Sequence, residues 1–467
     1  ITMNILIVGN GFDLSHYLPT KYDHFMDVMS EIEGKNTGGK VPDLTIHTVK
    51  EWMDLLDDMF ERKKDEPPLN YQMNFDELFS KTRDPNFIEK TKEFYLTDSI
   101  LLSAQDVIKA QYRLSLNCWY QYFKNHVEEI KTWIDFEQKI DECLQVVNNL
   151  FEINNKNYEK QGWQNLAIRH DRKNEESFMF LSKKNCEILN FFGLVQNLHD
   201  LEQDADFSQY SDLGASYVIN KCYLYSNDAN HNLNYQDIIH KLYLELEEFI
   251  DIFNFYLIEI VDNFIPVEQL EIVHSDFDFI NKIYSFNYTN TYEKFYGKTK
   301  DIEFLHGSSG ETQNIVLGIS ELHAESLKKL KAYGFTKYHQ KLLKQTDYLF
   351  LDDSTDLVQE ICSSSNYLDS GTPFNFYIWG HSLDSSDEQY IRELFSFNKG
   401  SDQNVRVIIL YFNKQANFEL LANLLHVLGK EKVETWMKKG WLKFEKNPNI
   451  VKLNNIQSVE LPKIAEA

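Results

Sequence analysis

The run Asn4-Ile5-Leu6-Ile7-Val8 is apolar after its first residue and ends directly in Gly9-Asn10-Gly11. An apolar run of this length closed by glycines predicts a buried parallel strand turning into a helix. Leu18-Pro19-Thr20 breaks the pattern, and a helix is expected from about Tyr22 with Phe25, Val28 and Met29 on one face. From about 45 to 270 the chain reads as mostly helical. Val49, Trp52, Met53, Leu56, Met59 and Phe60 recur at three- and four-residue spacing, as do Leu242, Leu246, Phe249 and Phe253. From about 279 the period shortens. Ile283–Tyr288, Ile302–Gly307, Asn314–Gly318, Phe374–Gly380 and Val405–Phe412 read as strands, several of them separated by helical stretches. Alternating strands and helices predict an α/β fold with a parallel sheet covered by helices on both faces. Residues 1–30 and 275–467 are expected to form that nucleotide-binding domain, with 31–274 as an α-helical insertion or second domain.

Composition sharpens this picture. The 467 residues contain 33 Phe and 26 Tyr but only 18 Gly and 9 Pro, so long helices and few elaborate loops are expected. A net charge of −25 repels a phosphate backbone and disfavours a broad nucleic-acid groove. Lys331, Lys337, Lys341 and Lys344 concentrate positive charge locally, and read as a solvated helix face. The five cysteines are widely spaced with no Cys-x-x-Cys, which fits reduced thiols in a cytoplasmic protein. Acidic residues and glycines interrupt the first apolar run too early for a signal peptide, and no apolar stretch has membrane-spanning length.

In an open parallel sheet, ligands bind beyond the carboxyl ends of the strands. Polar residues expected there are Asn10, Asp13, Asn287, Thr289, Asn290, His306, His381, Ser382, Asp384 and Asp387. Gly9 and Gly11 would let a phosphate approach the backbone, or serve only a tight turn. Asp13 would bond a ribose or favour the positive end of the first helix. Asn287 would hold a ribose hydroxyl or position a water, or cap a helix through an Asx turn. His306 is suited to general-base work or to bonding a sugar hydroxyl, or serves structure alone, with its place in His-Gly at a strand end favouring function. Gly380-His381-Ser382 would form a second anion-binding turn, or a helix cap built on Ser382 or Asp384. Glu137, in Trp133–Glu137, reads as solvated surface unless its helix packs over the carboxyl edge of the sheet. Sequence signatures of P-loop, zinc-protease and serine-elbow chemistry are missing, and no metal is expected.

Several of these segments together resemble the AbiH abortive-infection family. They are Leu6–Leu14 with Leu18-Pro19-Thr20, Trp133–Glu137 and Ser285–Thr291 with Glu293. His306-Gly307, Phe335-x-Lys337-x-x-Gln340 and Gly380–Leu383 complete the set. That resemblance implies defence against phage by halting or killing the infected cell. The order of glycine loop, Asn-Tyr, His-Gly and Gly-x-Ser is also similar to sirtuin-like NAD-cleaving defence domains. This likeness implies a Rossmann-like fold with NAD as substrate. Asn287 and His306 would then be catalytic. Gly9, Asn10, Gly11, Asp13, Thr289, Asn290, Gly380, His381, Ser382 and Asp384 would bind the nucleotide. The chain departs from that pattern at Asn10, where a small residue is usual, and at Thr289, where an aspartate is. A toxic hydrolase must be kept idle, so a homo-oligomer and a phage-derived trigger are expected partners. The alternatives are a metal-dependent nuclease or nucleotidyl-transfer toxin built on Asp384, Asp387 and Glu388, and a non-catalytic nucleotide sensor.

Overall fold

The computed structural model describes residues 3–36, 54, 72–130, 132–156, 166–169, 179–201, 215–225, 233–271, 273–274, 280–297, 302–346, 350–351, 355–364, 373–398 and 404–455. The helical pattern expected from Val49 to Phe60 lies outside the described residues. By compactness the chain divides into two units. The first comprises Ile1–Gln111, Phe253–Val316 and Gln340–Ala467; the second comprises Tyr112–Ile252 and Leu317–His339.

The first unit is built on six parallel strands. They are β1 (Met3–Val8), β2 (Lys282–Ser285), β3 (Ile302–Phe304), β4 (Phe374–Trp379), β5 (Val405–Tyr411) and β6 (Leu442–Lys446). Their order across the sheet is β3-β2-β1-β4-β5-β6. Every pairing is parallel. The central strands β1, β4 and β5 are buried over most of their length, as their apolar runs predict for strands covered on both faces. One large core gathers Ile5, Ile7, Phe376, Ile378, Val407 and Ile409 with Phe395, Leu424 and Trp436.

Register sets the carboxyl edge. Val8 pairs with Ser285 and with Trp379, Ser285 with Phe304, Trp379 with Leu410, and Leu410 with Glu445. Two residues beyond that common level stand Asn10, Asn287, His306, His381, Phe412 and Asn447. Helix α1 (Asn10–Ser15) follows β1 directly, and α2 (Tyr22–Gly34) buries Phe25, Val28 and Met29 as expected. Helix α3 (Thr291–Tyr296) follows β2, and α4 (Lys337–Lys344) follows β3 at a distance along the chain. Helix α5 (Glu388–Leu394) follows β4, and α6 (Lys414–Leu428) and α7 (Lys430–Lys438) link β5 to β6.

Asn314–Gly318, expected as a strand, is not one. Its apolar residues Ile315 and Val316 are fully buried, and Val316 N–H donates to the His306 carbonyl at 2.8 Å. The segment packs behind the His306 turn without joining the sheet, because an apolar run reports burial rather than strand pairing.

The second unit holds helices Cys118–Asn125, Trp133–Lys156 and Lys183–Phe191, and most of Tyr235–Tyr256. Phe136 lies 4.2 Å from Phe123 and stacks on Phe249 at 5.3 Å, which explains the aromatic stripes. This unit also contains a four-stranded sheet of short segments, Ala167–Arg169, Met179–Phe180, Val195–Asn197 and Tyr217–Ile219. Among the described residues no helix is long and apolar enough to cross a membrane.

A candidate site at the carboxyl edge of the sheet

Strand order reverses between β1 and β4, since the chain moves outward through β2 and β3 on one side and through β4 to β6 on the other. The loops after β1 and β4 therefore flank the crevice where open α/β sheets bind ligands. Here the two loops are laced together. Gly9 N–H donates to Trp379 O at 3.0 Å, and Gly11 N–H to Gly380 O at 2.9 Å. A Cβ on Gly9 would fall 2.6 Å from His381 Cα, and one on Gly11 would fall 2.7 Å from Gly380 Cα. Gly380 has φ +77° and a Cβ there would lie 2.1 Å from Phe12 N. Loop-to-loop contact thus accounts for all three glycines without invoking a phosphate.

Asp13 turns inward from α1 and is 1% exposed. One carboxylate oxygen accepts the Asn287 amide at 2.8 Å and the other accepts the Thr289 hydroxyl at 2.6 Å. Burial drives its pKa up to about 6, against the opposing pull of hydrogen bonds from Thr289, Thr291 and Asn287. The Asn287 amide also donates to Gly9 O at 3.0 Å. Asn287 therefore braces the β1 loop in this arrangement. The space lined by Asp13, Asn287 and Thr289 is about 10 Å³, room for roughly one water. Asn290 caps α3 by accepting from Glu293 N–H at 3.3 Å. Asn10 accepts the Thr20 hydroxyl at 2.7 Å.

His16 extends this cluster. Its Nδ1 lies 2.7 Å from Phe12 O and its Nε2 lies 2.7 Å from the Tyr296 hydroxyl. Burial pushes its pKa down to about 4, so the ring is neutral at pH 7. A carbonyl can only accept, so Nδ1 carries the proton and Tyr296 donates to Nε2.

The second cluster sits beyond β3 and β4. His306 Nε2 lies 3.2 Å from one oxygen of Asp387, and His381 Nε2 lies 3.3 Å from the other. All three side chains are nine-tenths buried. His381 Nδ1 accepts from Leu383 N–H at 3.0 Å, so the neutral ring carries its proton on Nε2 and donates it to Asp387. Phe286, directly after β2, packs against His381 at 4.1 Å, Tyr390 at 5.0 Å and His306 at 5.1 Å. Lys341 on α4 donates to the Tyr390 hydroxyl and lies over that ring at 4.1 Å.

The structure thus brings Asn287, Thr289, Asp13 and Gly9 into one cluster, and His306 and His381 into another through Asp387. Ser382 is exposed, and its carbonyl accepts from Asn423 at 2.9 Å. Asp384 caps the turn before α5, accepting Ser386 N–H at 2.9 Å. Glu388 turns outward to Arg392 at 3.2 Å. Asp384, Asp387 and Glu388 are therefore engaged separately. No described group of three His, Cys, Asp or Glu is placed to hold a metal ion.

Two expectations are corrected in the second unit. Glu137 is not solvated: its carboxylate meets Lys337 Nζ at 2.7 Å, with the side chains 13% and 7% exposed. Lys337 is likewise no surface cation, and in the first unit Lys344 donates to Ile315 O at 2.6 Å. The reading of these lysines as a solvated face missed that long side chains bury their stems to reach a partner. The bridging role of Asp387, and the contributions of Phe286, Tyr390 and Lys341, were also missed. The only sequence cue was an acidic residue six positions after His381, at the start of a helix.

Residues 5–411 match the family described as Bacteriophage abortive infection AbiH. The chain belongs to the AbiH family. No curated protein and no solved structure matches it. The AbiH match runs from β1 through β5, and so takes in both clusters of the carboxyl edge. Membership of the AbiH family implies a role in bacteriophage abortive infection.

Proposed function

We propose that this AbiH-family chain acts in abortive infection as a nucleotide-cleaving hydrolase, with NAD as its substrate and nicotinamide as a product. The observation that carries the reading is Asp387 shared by His306 and His381 beside the reversal of strand order. We read the sheet as Rossmann-like, because β3-β2-β1-β4-β5-β6 follows the dinucleotide-binding strand order. Likeness to the sirtuin-like domains rests on the order of motifs alone.

In this proposal water attacks the ribose carbon that bears nicotinamide. Its oxygen bonds to that carbon, the carbon–nitrogen bond breaks, and nicotinamide leaves neutral with the bonding pair. The proton of the water passes to His306, whose imidazolium Asp387 stabilises. His381 fixes the carboxylate from its other oxygen. Gly9, Asn10, Gly11, Gly380 and Ser382 stand in the two loops that flank the strand-order reversal and would bind the nucleotide once those loops part, while Asp13, Asn287 and Thr289 hold the β1 loop in place. For Asn287 to touch ribose directly, its amide would have to exchange its present partners. Confinement of the chain to the cytoplasm and activation by assembly on a phage trigger belong to the same proposal.

Phage plating tests the reading. Cells expressing the wild type are expected to reduce plaque counts, and cells expressing Asp387→Asn at equal protein level are expected to lose that protection. Undiminished protection by Asp387→Asn would overturn the assignment of this cluster.

A further inference from the structure

The first unit also carries a small antiparallel ribbon, Tyr95–Leu96 paired with Ile265–Pro266. Leu96 stands opposite Ile265, and Val267 N–H donates to Phe94 O at 2.9 Å, which extends the pairing by one residue. Paired residues share a face, and successive residues alternate between faces. One face of the ribbon is buried. It carries Tyr95, which meets Phe264 edge-on at 5.1 Å and whose hydroxyl donates to His16 O at 2.8 Å. The other face carries Leu96, Ile265 and Val267, which are 52%, 50% and 39% exposed. Leu101, 53% exposed, follows one turn later. Ser99 ties that turn to both segments, donating to Leu96 O at 2.9 Å and to Asn263 O at 2.8 Å.

Two features say what kind of surface covers this face. The first is inverted polarity. A ribbon packed on one side normally turns polar residues outward, yet here the outward positions are aliphatic. Contiguous apolar faces of this kind mark interaction sites. The second is charge. Segments 94–106 and 257–268 contain the carboxylates Asp98, Asp106, Glu259, Asp262 and Glu268 and no Lys or Arg. Asp98 follows Leu96 at one end of the face, and Glu268 follows Val267 at the other. Glu259 is held above the usual carboxylate range by burial and by the neighbouring charge of Asp106. Asp262 has Lys294 beside it. The nearest preceding lysines are committed, Lys90 to Glu93 at 2.7 Å and Lys92 to Asp76 at 2.5 Å. A second copy of the chain would set these same carboxylates against themselves, and an anionic lipid surface would be repelled.

We propose that the outward face of this ribbon docks a segment of another protein in which apolar side chains are flanked by Lys or Arg. Leu96, Ile265 and Val267 take the apolar side chains, and Asp98 and Glu268 take the cations at the two ends. Complementary charge of this kind selects the partner and rejects acidic competitors. A face of three or four aliphatic side chains supports a weak, transient contact rather than a permanent one. Through Tyr95 the ribbon rests on His16, directly after α1, so a docked partner adjoins the helix that carries Asp13.

Fluorescence anisotropy of labelled synthetic peptides with the full chain tests the proposal. The probes are a peptide of Leu and Lys in helical period, the same peptide with Ser in place of Leu, and the same peptide with Glu in place of Lys. The Leu-Lys peptide is expected to bind at least tenfold more tightly than either control. Leu96→Ser with Ile265→Ser is expected to weaken it at least tenfold, with thermal unfolding as the check on folding. Asp98→Asn with Glu268→Gln, which leaves the aliphatic face intact, is expected to weaken it at least threefold at low salt. Equal binding of the Ser-Lys peptide would reduce the effect to net charge and overturn the assignment. Failure of the Leu-Lys peptide to bind wild type, or its undiminished binding to both double variants, would overturn it as well. Light scattering and vesicle sedimentation address the other occupants. A dimer, or binding to anionic phospholipid vesicles, that Leu96→Ser with Ile265→Ser abolishes would overturn the choice of a basic protein segment.

Discussion

The Asn287 amide reaches 2.8 Å to the buried carboxylate of Asp13, joining the end of β2 to the first helix across 274 positions of sequence. The same nitrogen holds Gly9 O, so one side chain fixes both the loop and the carboxylate. Asn287→Ala strips a donor from each. A buried acceptor left unmatched costs about 1–3 kcal/mol, and the denaturant midpoint of Asn287→Ala is expected to fall accordingly, with Thr289→Val showing a smaller loss. An unchanged midpoint would show that water replaces the amide at no cost.

Asp13 makes stability depend on pH. Its folded value of about 6 lies above the ordinary aspartate value of 3.8, so the folded chain holds this proton more tightly than the unfolded chain. Stability from this group is intact below about pH 4, declines as pH rises, and is lost above about pH 6. The gap between 3.8 and about 6 corresponds to about 3 kcal/mol. Urea unfolding of wild type and Asp13→Asn at pH 5 and pH 7 checks this. The asparagine variant is expected to lose less stability between the two pH values than wild type does.

Close contact of the two crevice loops leaves no room for a side chain at Gly380, where an added Cβ would sit 2.1 Å from Phe12 N at φ +77°. Gly380→Ala is expected to destabilise by at least about 1–3 kcal/mol, the cost of a backbone held in a disfavoured region. By contrast, a Cβ on Gly34 at the end of α2 meets nothing within 4 Å. Gly34→Ala is expected to be neutral or to raise stability by up to about 1 kcal/mol. Thermal unfolding of the pair separates crowding from a general glycine effect.

Much of this architecture is legible in the chain, and the exceptions share physical causes. β1, β4 and β5 announce themselves as long apolar runs because both their faces are covered. β6, Leu-Lys-Phe-Glu-Lys, is an edge strand with charged residues outward, and its short alternation is easily read as loop. The two- and three-residue strands of the second unit are too brief to show any period. At the site, polar residues beyond strand ends are visible in sequence, but their targets are not. That Asn287 folds back onto Asp13, and that Asp387 lies between His306 and His381, follows from register and from the turn after β4.

In the second unit, Lys337 and Glu137 meet at 2.7 Å with both side chains largely buried. Removing one partner of a buried pair leaves an uncompensated charge and costs about 3–5 kcal/mol. Lys337→Met is expected to destabilise by about that amount, and Lys337→Met with Glu137→Leu to recover much of the loss. A double-mutant cycle read by thermal unfolding checks the coupling; additive losses would contradict it.

We propose that His306, with Asp387 beside it, accepts the proton of the water that hydrolyses NAD during infection. Chromatography of NAD and free nicotinamide in phage-challenged cells, expressing wild type or His306→Ala at equal level, tests it most directly. NAD is expected to fall and nicotinamide to rise with wild type only. Steady NAD in wild-type cells that still abort infection would contradict the account.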